Sequence, residues 1–268
     1  RARGHRLFVH DVRPEACAAV AGEAVEVCDS PAEVSRHADV VLTSLPGPSE
    51  VEAVMLGDRG VLAGARPGTV VADTSTVGPA QSRRLAGEFA AQGVAYLDAP
   101  VSGGIPRARA ATLLIMVGGD AGAFERARPV LESIGSDLHH VGESGAGNNA
   151  KLLIQMIFFG YMSLFCEGLA LGERLSIPFE TLFRILVASS AGQPRVETRY
   201  EAFKANDLTP RFEVNGALKD LALVRELVAP ERLPLLEAVI QEFERARSLG
   251  WGDKDITAVR GLLQPPTP

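Results

Sequence analysis

The feature that most constrains this sequence is the alternation of short apolar runs, rich in β-branched residues, with helical runs up to about residue 140. The strand candidates are Leu7–His10, Ala38–Ser44, Thr69–Ala72, Val94–Leu97 and Leu113–Val117. The helical runs between them are Pro14–Val20, Pro31–His37, Pro48–Met55, Pro79–Ala91 and Ala121–Ile134. Several open on proline, which suits a first helical turn because the missing N–H costs nothing there. Apolar strands that alternate with helices indicate an α/β, Rossmann-like, mainly parallel sheet with helices on both faces.

The pattern changes at about residue 148, where the strand candidates stop. Asn148–Leu175 is predicted to be one long helix. Further helices are predicted at Pro178–Ala188, Arg195–Ala205, Phe212–Ala229, Pro234–Leu249 and Lys254–Leu263. We therefore predict a dinucleotide-binding domain at residues 1–143 and an all-α substrate and dimerisation domain at residues 144–268, linked by helix 148–175.

The bulk composition excludes several classes of protein. The formal net charge is −6 over 268 residues, and no block of Lys or Arg stands out, which disfavours nucleic acid and anionic membranes as partners. No apolar run approaches the roughly 20 residues of a membrane span. Three cysteines without a Cys-x-x-Cys motif fit a reducing cytoplasm. No metal is expected, because adjacent residues on a strand, such as His139 and His140, point to opposite faces.

Asp11 follows the first strand candidate directly, in the order Val9-His10-Asp11. An acidic residue at the tip of the second strand of a dinucleotide fold binds the ribose hydroxyls and repels a 2′-phosphate, which favours NAD over NADP. Arg13 weakens this interpretation because a nearby Arg can bind that phosphate. Asp11 as a simple turn cap before Pro14 is the alternative.

The glycine-rich loop that binds the pyrophosphate normally precedes such an acid by roughly 20–30 residues. Only ten residues precede Asp11, and they contain no such loop. We therefore expect the first strand of the sheet to be missing from this sequence. We also expect the natural polypeptide to carry a strand, loop and helix before Arg1.

Two glycine-containing segments carry candidate chemistry. In Asp98–Gly104 (DAPVSGG), the Ser102 hydroxyl and the nearby backbone N–H groups can hold a carboxylate, although an ordinary loop is an equal alternative. In Gly145–Lys151 (GAGNNAK), Lys151 is expected in the first turn of the long helix, where the helix dipole disfavours a cation. Burial there would lower its pKa and make it a general acid or base, with Gln155 one turn further on. A solvated lysine is the alternative.

Taken together and in this order, these segments resemble the β-hydroxyacid dehydrogenase family, in particular 3-hydroxyisobutyrate dehydrogenases and tartronate semialdehyde reductases. Val40–Pro46, Asp73–Thr76, Met116–Gly119 and Lys219–Leu221 also take part, so the resemblance covers almost the whole chain. It implies that Lys151 is the general acid–base, that Ser102, Gly103 and Gly104 hold the substrate carboxylate, and that Leu45, Pro46 and Thr76 line the cofactor. It also implies that Lys219 reaches the nicotinamide and that Asp11 holds the ribose.

The sequence departs from the family's pattern at several points. Gln155 stands where the family usually has Asn, and Ala111 stands where it usually has Gly. Arg107 adds a bulky charge after Gly104. The substrate geometry is therefore expected to differ within the family.

The resemblance implies an oxidoreductase that moves a hydride between NAD, or NADP, and a short 3-hydroxy acid or its semialdehyde. The expected partner is a small hydroxy acid, and the expected assembly is a homodimer or homotetramer. Two alternatives stay open: an imine reductase, which shares this architecture, and a non-catalytic binding protein that has lost the cofactor site.

Overall fold

A computed structural model describes residues 4–263, so the outer ends of the two predicted domains, residues 1–3 and 264–268, lie outside the described part. The chain divides into two compact units, Arg1–Lys151 and Leu152–Pro268. The first is α/β and the second is helical. The predicted fold class is therefore confirmed.

The strands of the described chain all lie in the first unit. They are β1 Leu7–Val9, β2 Val25–Val27, β3 Val40–Thr43, β4 Val70–Asp73, β5 Ala95–Asp98, β6 Val101–Ser102, β7 Leu113–Gly118 and β8 Gly135–Gly142. The helices of this unit are α1 Pro14–Val20, α2 Pro31–His37, α3 Pro48–Leu56, α4 Val61–Gly64, α5 Pro79–Ala90, α6 Gly104–Arg109 and α7 Ala121–Leu131. Helices α1, α2, α3 and α5 each begin on proline, as the sequence predicts.

The strands form two sheets. β1 and β2 make a separate parallel pair, while β3, β4 and β5 are parallel neighbours in a six-stranded sheet. β7 pairs antiparallel with β5 and β6 and parallel with β8. Among residues 4–263 no ladder joins the two sheets. α2 packs against both β1 and β3.

Helices cover both faces of the six-stranded sheet. Successive residues of a strand point to opposite sides, so one strand can contribute to the core on each face. Val70 and Ala72 of β4 pack on one face with Phe124 and Leu131 of α7. Val71 packs on the other face, in a cluster whose buried helical members come from α3, α4 and α5 and are Val51, Met55, Val61, Leu85 and Phe89. The strands β4 and β7 are almost fully buried, which explains their uninterrupted apolar sequences.

The second unit is built from helices around one aromatic-rich core. Its helices are the greater part of α8 Ala146–Arg174, then α9 Phe179–Ala188, α10 Pro194–Glu197, α11 Tyr200–Ala205, α12 Val214–Val228 and α13 Pro234–Ala246. A π-helical turn, Arg247–Trp251, and a 3-10 helix, Ile256–Leu263, follow. Phe159 of α8 lies at the centre of this core and contacts Phe212 and Phe243.

Several expectations need correction. The sequence does not predict the strands β2, β6 and β8. β2 and β6 have only three and two residues, β8 has few apolar residues, and β2 and β8 are largely exposed. The predicted helix Arg195–Ala205 is two helices, α10 and α11. Helix α8 begins at Ala146, so Lys151 lies in its second turn rather than its first.

Helix α8 contradicts the expectation that no apolar run approaches the length of a membrane span. Its best 18-residue window has a mean hydropathy of 1.6, so by length and composition it could cross a membrane. The core helix of a soluble protein meets the same criteria. One side of α8 carries Leu152, Phe159, Met162 and Leu169, which are fully buried in the helical core of the second unit.

Candidate functional site

The carboxyl ends of three neighbouring strands place their last residues side by side. Thr43 of β3 pairs with Asp73 of β4, and Asp73 pairs with Asp98 of β5. Both carboxylates are fully buried. In open α/β sheets the edge formed by the carboxyl ends of the strands is where ligands bind. These two buried acids therefore mark the edge of the sheet on which the candidate site is built.

Asp73 organises the loops that follow β3 and β4. Its carboxylate accepts hydrogen bonds from Thr43 Oγ1 at 2.8 Å, from the Ser75 backbone N–H at 3.0 Å and from the Tyr96 hydroxyl at 3.1 Å. Burial, and then the nearby Asp73 carboxylate, raise the pKa of Tyr96 well above its usual range, so this phenol stays a donor. The Ser75 hydroxyl in turn accepts from the Leu45 backbone N–H at 2.9 Å. Two of the predicted cofactor-lining segments, at Leu45-Pro46 and Thr76, are thus tied to one carboxylate.

Asp98 fixes the start of helix α8. Its two carboxylate oxygens accept from the backbone N–H groups of Gly145 at 2.7 Å and of Asn148 at 2.8 Å. Burial raises the pKa of Asp98, while these two hydrogen bonds act in the opposite direction. A Cβ atom at Gly147 would lie 2.4 Å from the Asp98 carbonyl oxygen, so only glycine permits this approach. The segments DAPVSGG and GAGNNAK, which the sequence analysis singled out separately, are therefore in direct contact.

Asn148 joins a third segment to this contact. Its side-chain Oδ1 accepts from the Val77 backbone N–H at 3.1 Å, and its Nδ2 donates to Ser82 Oγ of α5 at 3.1 Å. Asn148, Val77 and Ser82 are all fully buried. Val77 directly follows Thr76, so the segment predicted to line the cofactor and the helix that carries Lys151 are held by one side chain.

Lys151 lies on α8 three residues after Asn148 and is the last residue of the first unit. Only 8% of it is exposed, so it is a buried lysine. The alternative of a solvated lysine is therefore wrong.

The predicted carboxylate-holding residues Ser102, Gly103 and Gly104 lie where β6 ends and α6 begins. Gly103 has φ +142°, and a Cβ atom there would lie 2.7 Å from Cβ of Arg107. The Arg107 side chain therefore packs across this glycine. Ser102 and Gly103 are half-buried and Gly104 is exposed.

In the second unit, Gln155 and Lys219 meet a residue to which the sequence analysis gave no role. Gln155 Nε2 donates to Asp220 Oδ2 at 2.5 Å, and Lys219 Nζ lies 3.0 Å from Asp220 Oδ1. Gln155 and Asp220 are buried, while 29% of the Lys219 side chain is exposed. The Lys219-Asp220-Leu221 motif contained the signal for this contact, but nothing in the sequence linked it to Gln155.

Asp11 lies just beyond β1 in an exposed turn. Its carboxylate accepts from the Arg13 backbone N–H at 2.9 Å and from Arg13 Nε at 3.3 Å. These contacts, the backbone hydrogen bond first, hold the pKa of Asp11 below its ordinary value. It therefore stays an ionised acceptor for hydroxyl groups. Arg13, considered as a 2′-phosphate ligand, is paired with Asp11 instead.

The residues present fit the ribose and nicotinamide parts of a dinucleotide. An ionised carboxylate follows β1, and loops with fixed backbones follow β3 and β4. A buried amine lies close in sequence to the Asn148 junction. A dinucleotide requires an acceptor for its ribose hydroxyls and loops of fixed conformation along its length. Oxidation of an alcohol requires in addition a group that takes up the hydroxyl proton.

Comparisons with known proteins agree over both units. The family model described as the NAD binding domain of 6-phosphogluconate dehydrogenase matches residues 1–142. The model described as NAD-binding of NADP-dependent 3-hydroxyisobutyrate dehydrogenase matches residues 145–263.

Two relatives and one solved structure are similar over most of the chain. A 2-(hydroxymethyl)glutarate dehydrogenase of Eubacterium barkeri is 36% identical, covering 96% of this chain and 86% of that protein. A 3-hydroxyisobutyrate dehydrogenase of Pseudomonas aeruginosa is 37% identical, covering 82% and 76%. The crystal structure of a 3-hydroxyisobutyrate dehydrogenase from Salmonella typhimurium superposes with a TM-score of 0.89 at 28% identity, covering 97% and 92%.

The imine reductase alternative has weaker support. An imine reductase from Myxococcus stipitatus superposes over 98% of this chain and 93% of its own, with a TM-score of 0.65 and 20% identity. That likeness shows a shared fold alone.

Proposed function

Because this chain belongs to the family of NAD(P)-dependent hydroxyacid dehydrogenases that includes 3-hydroxyisobutyrate dehydrogenase, we propose that it transfers a hydride between NAD and a short 3-hydroxy acid or its semialdehyde. The observation that most supports this is the buried junction of Asp98 and Asn148. It joins the proposed substrate loop, the proposed cofactor loop at Thr76 and the helix of Lys151.

The substrate class follows from the carboxylate-holding loop and from the relatives' names. 3-Hydroxyisobutyrate and 2-(hydroxymethyl)glutarate share the unit HOCH2–CHR–COO⁻. We place the carboxylate at Ser102, Gly103 and Gly104, where a hydroxyl and backbone N–H groups can donate to it. Such an anchor orients the carbinol carbon, and orientation is a large part of the rate gain in a two-substrate reaction.

Lys151 is the proposed general acid–base. A bound nicotinamide would supply the acceptor for the hydride that leaves the carbinol carbon. The Lys151 amine takes the hydroxyl proton, so that a C–H and an O–H bond break and a carbonyl forms. In the reverse direction its ammonium returns the proton to the carbonyl oxygen. Burial of Lys151 excludes water from this proton transfer.

Gln155 and Lys219 are proposed as ligands from the second unit. Gln155 uses Nε2 to donate to Asp220, which leaves its carbonyl oxygen Oε1 to accept from a substrate hydroxyl. Lys219, held beside the same carboxylate, is proposed to bind the cofactor. Asp220 thus orients both side chains.

For the cofactor we propose NAD over NADP. Asp11 would accept hydrogen bonds from the ribose hydroxyls and repel a 2′-phosphate. Arg13, the cation that could bind such a phosphate, is already paired with Asp11. Leu45, Pro46 and Thr76 are the proposed lining of the nicotinamide half.

We further propose a homodimer or homotetramer that uses α8. Leu153, Ile157, Leu164 and Leu171 are 52%, 62%, 70% and 54% exposed, and the last three repeat every seven residues along one face. Only Glu167 and Arg174 bring charge to the exposed positions between Leu164 and Leu175. Their opposite signs suit pairing with a second, antiparallel copy of the same face.

A cytoplasmic location is proposed because Cys17, Cys28 and Cys166 are all free thiols.

A screen tests the proposed function. The full-length protein is offered short 3-hydroxy acids with NAD or NADP, and reduced nicotinamide is followed by absorbance. We expect turnover with compounds of the form HOCH2–CHR–COO⁻ and not with their O-methyl ethers. Turnover of cyclic imines alone would favour the imine reductase, and cofactor binding without turnover of any alcohol would favour a non-catalytic protein.

A further inference from the structure

A fully buried polar side chain, that of Asn148, lies close to Lys151 in the helix that carries both residues. Asn148 lies one turn before Lys151 on the same side of α8, since residues three apart on a helix are neighbours. Asparagine is a weak helix former, and a fully buried one is uncommon. Its burial here therefore calls for a specific role.

Three polar groups of Asn148 each form a hydrogen bond to a different segment of the first unit. Its backbone N–H donates to Asp98 at 2.8 Å, Oδ1 accepts from the Val77 N–H at 3.1 Å and Nδ2 donates to Ser82 Oγ at 3.1 Å. An amide offers an acceptor and a donor at once, which a carboxylate or a hydrocarbon of the same size does not. The pattern of contacts is thus specific to an amide.

We infer that Asn148 is a positioning residue that sets the Lys151 amine relative to the Thr76–Val77 segment. The inference rests on the proposed function, in which Thr76 lines the cofactor and Lys151 moves the proton. Any shift of the first turn of α8 against Val77 displaces Lys151 by a similar distance, because the helix is continuous through both residues. A misplacement of about 1 Å is enough to lower a rate by roughly 100-fold.

Three variants separate this role from simple packing. Asn148→Ala removes both side-chain contacts, and Ser82→Ala removes only the one to Nδ2. The control is Asn149→Ala, because Asn149 is the next residue of the same turn and its amide oxygen makes no hydrogen bond among the described residues. We expect kcat to fall by about 10- to 100-fold in Asn148→Ala, less in Ser82→Ala, and little in Asn149→Ala. KM for the hydroxy acid should change much less than kcat, since the carboxylate anchor is elsewhere.

A second readout does not require turnover. Acylation of lysines by an amine-reactive ester, followed by peptide mass spectrometry, compares Lys151 with the exposed Lys254 in the same sample. We expect Lys151 to become several-fold more reactive in Asn148→Ala and to be unchanged in Asn149→Ala. If no hydroxy acid is turned over, the proposed function fails while the labelling still tests the positioning role.

Unchanged kcat and unchanged Lys151 labelling in Asn148→Ala would overturn the inference. An equal loss in Asn149→Ala would overturn it as well, because the effect would then be a general loosening of the turn. If Asn148→Ala does not fold, Ser82→Ala is used instead. Wild-type kcat and wild-type Lys151 labelling in Ser82→Ala would then overturn the positioning role of Asn148.

Discussion

The Arg13 guanidinium lies 3.3 Å from the Asp11 carboxylate, and the Arg13 backbone N–H donates to the same oxygen at 2.9 Å. A two-residue turn thus supplies its acid with a cation and a backbone donor. Arg13 could bind the 2′-phosphate of NADP, but its side chain contacts Asp11, whose charge would repel that phosphate.

Cofactor choice should therefore depend on Asp11. In wild-type protein kcat/KM is expected to favour NAD over NADP, and Asp11→Asn should reduce that ratio because the charge that repels a 2′-phosphate is removed. Asp58→Asn, a change at another exposed aspartate, should leave the ratio unaltered. A wild-type preference for NADP would mean that Arg13 governs the site.

Replacing the buried lysine should stop the chemistry and leave the fold. Lys151→Met is expected to lower kcat by about 100- to 10,000-fold, the usual contribution of a positioned acid–base group. Circular dichroism and melting temperature should stay close to wild type. The matched control is Lys254→Met at an exposed lysine. Near-normal kcat in Lys151→Met would show that another group carries the proton.

Asp98 should give the fold a measurable pH dependence. Burial raises its folded-state pKa above the ordinary 3.8. The associated stabilisation is therefore complete below pH 3.8 and is lost as pH rises through the raised pKa. Asp98→Asn cannot titrate, so the excess stability of wild type over this variant should grow as pH falls toward 3.8. Denaturant unfolding of both proteins over that range measures it, and a gap that shrinks on acidification would contradict the prediction.

Ala111 is a site where one substitution should stabilise the protein. It has φ +53°, a left-handed conformation that costs a non-glycine residue about 1–2 kcal/mol. Ala111→Gly removes this cost but adds about 0.4–1 kcal/mol of unfolded-state entropy. The expected net gain is therefore between about 0 and about 1.6 kcal/mol. Ala110→Gly is the control, because Ala110 has φ −81° and should only lose stability.

The exposed leucine face of α8 should carry self-association. Leu164→Glu places a charge at the centre of the Ile157–Leu171 repeat and is expected to shift the protein to a smaller assembly in analytical ultracentrifugation. Val141→Glu, at an exposed position of β8, should leave the mass unchanged. An unaltered assembly in Leu164→Glu would place the subunit contact elsewhere.

The sequence predicted the buried parts of the fold well and the exposed parts poorly. The strands β3, β4, β5 and β7 are apolar because helices cover both faces of the sheet, so composition alone reveals them. β8 reads Gly-Ser-Asp-Leu-His-His-Val-Gly and is largely exposed at the sheet edge, where no apolar pattern is required. The sequence places Lys151 in the first turn because the predicted helix begins at Asn148, whereas the helix begins at Ala146 and includes Gly147 as a point of close packing.

Part of the candidate site could be predicted from the sequence and part could not. Lys151 and the Ser102–Gly104 loop could be predicted because each lies in a short, recognisable motif. The contacts of Asn148 could not, because they join residues 50, 66 and 71 positions apart in the chain. Such pairs become neighbours only when the carboxyl ends of the strands are aligned. The Gln155–Asp220 hydrogen bond spans 65 positions and was missed for the same reason.

The division of the chain directly after Lys151 has a consequence for how new specificities can arise. The start of α8 is hydrogen-bonded to Asp98, Val77 and Ser82, which all precede residue 151, whereas Gln155 and Lys219 follow it. Exchanging everything beyond Lys151 for the corresponding part of a relative would replace the proposed ligands Gln155 and Lys219, and it would leave Lys151 and the proposed carboxylate anchor at Ser102–Gly104 unchanged.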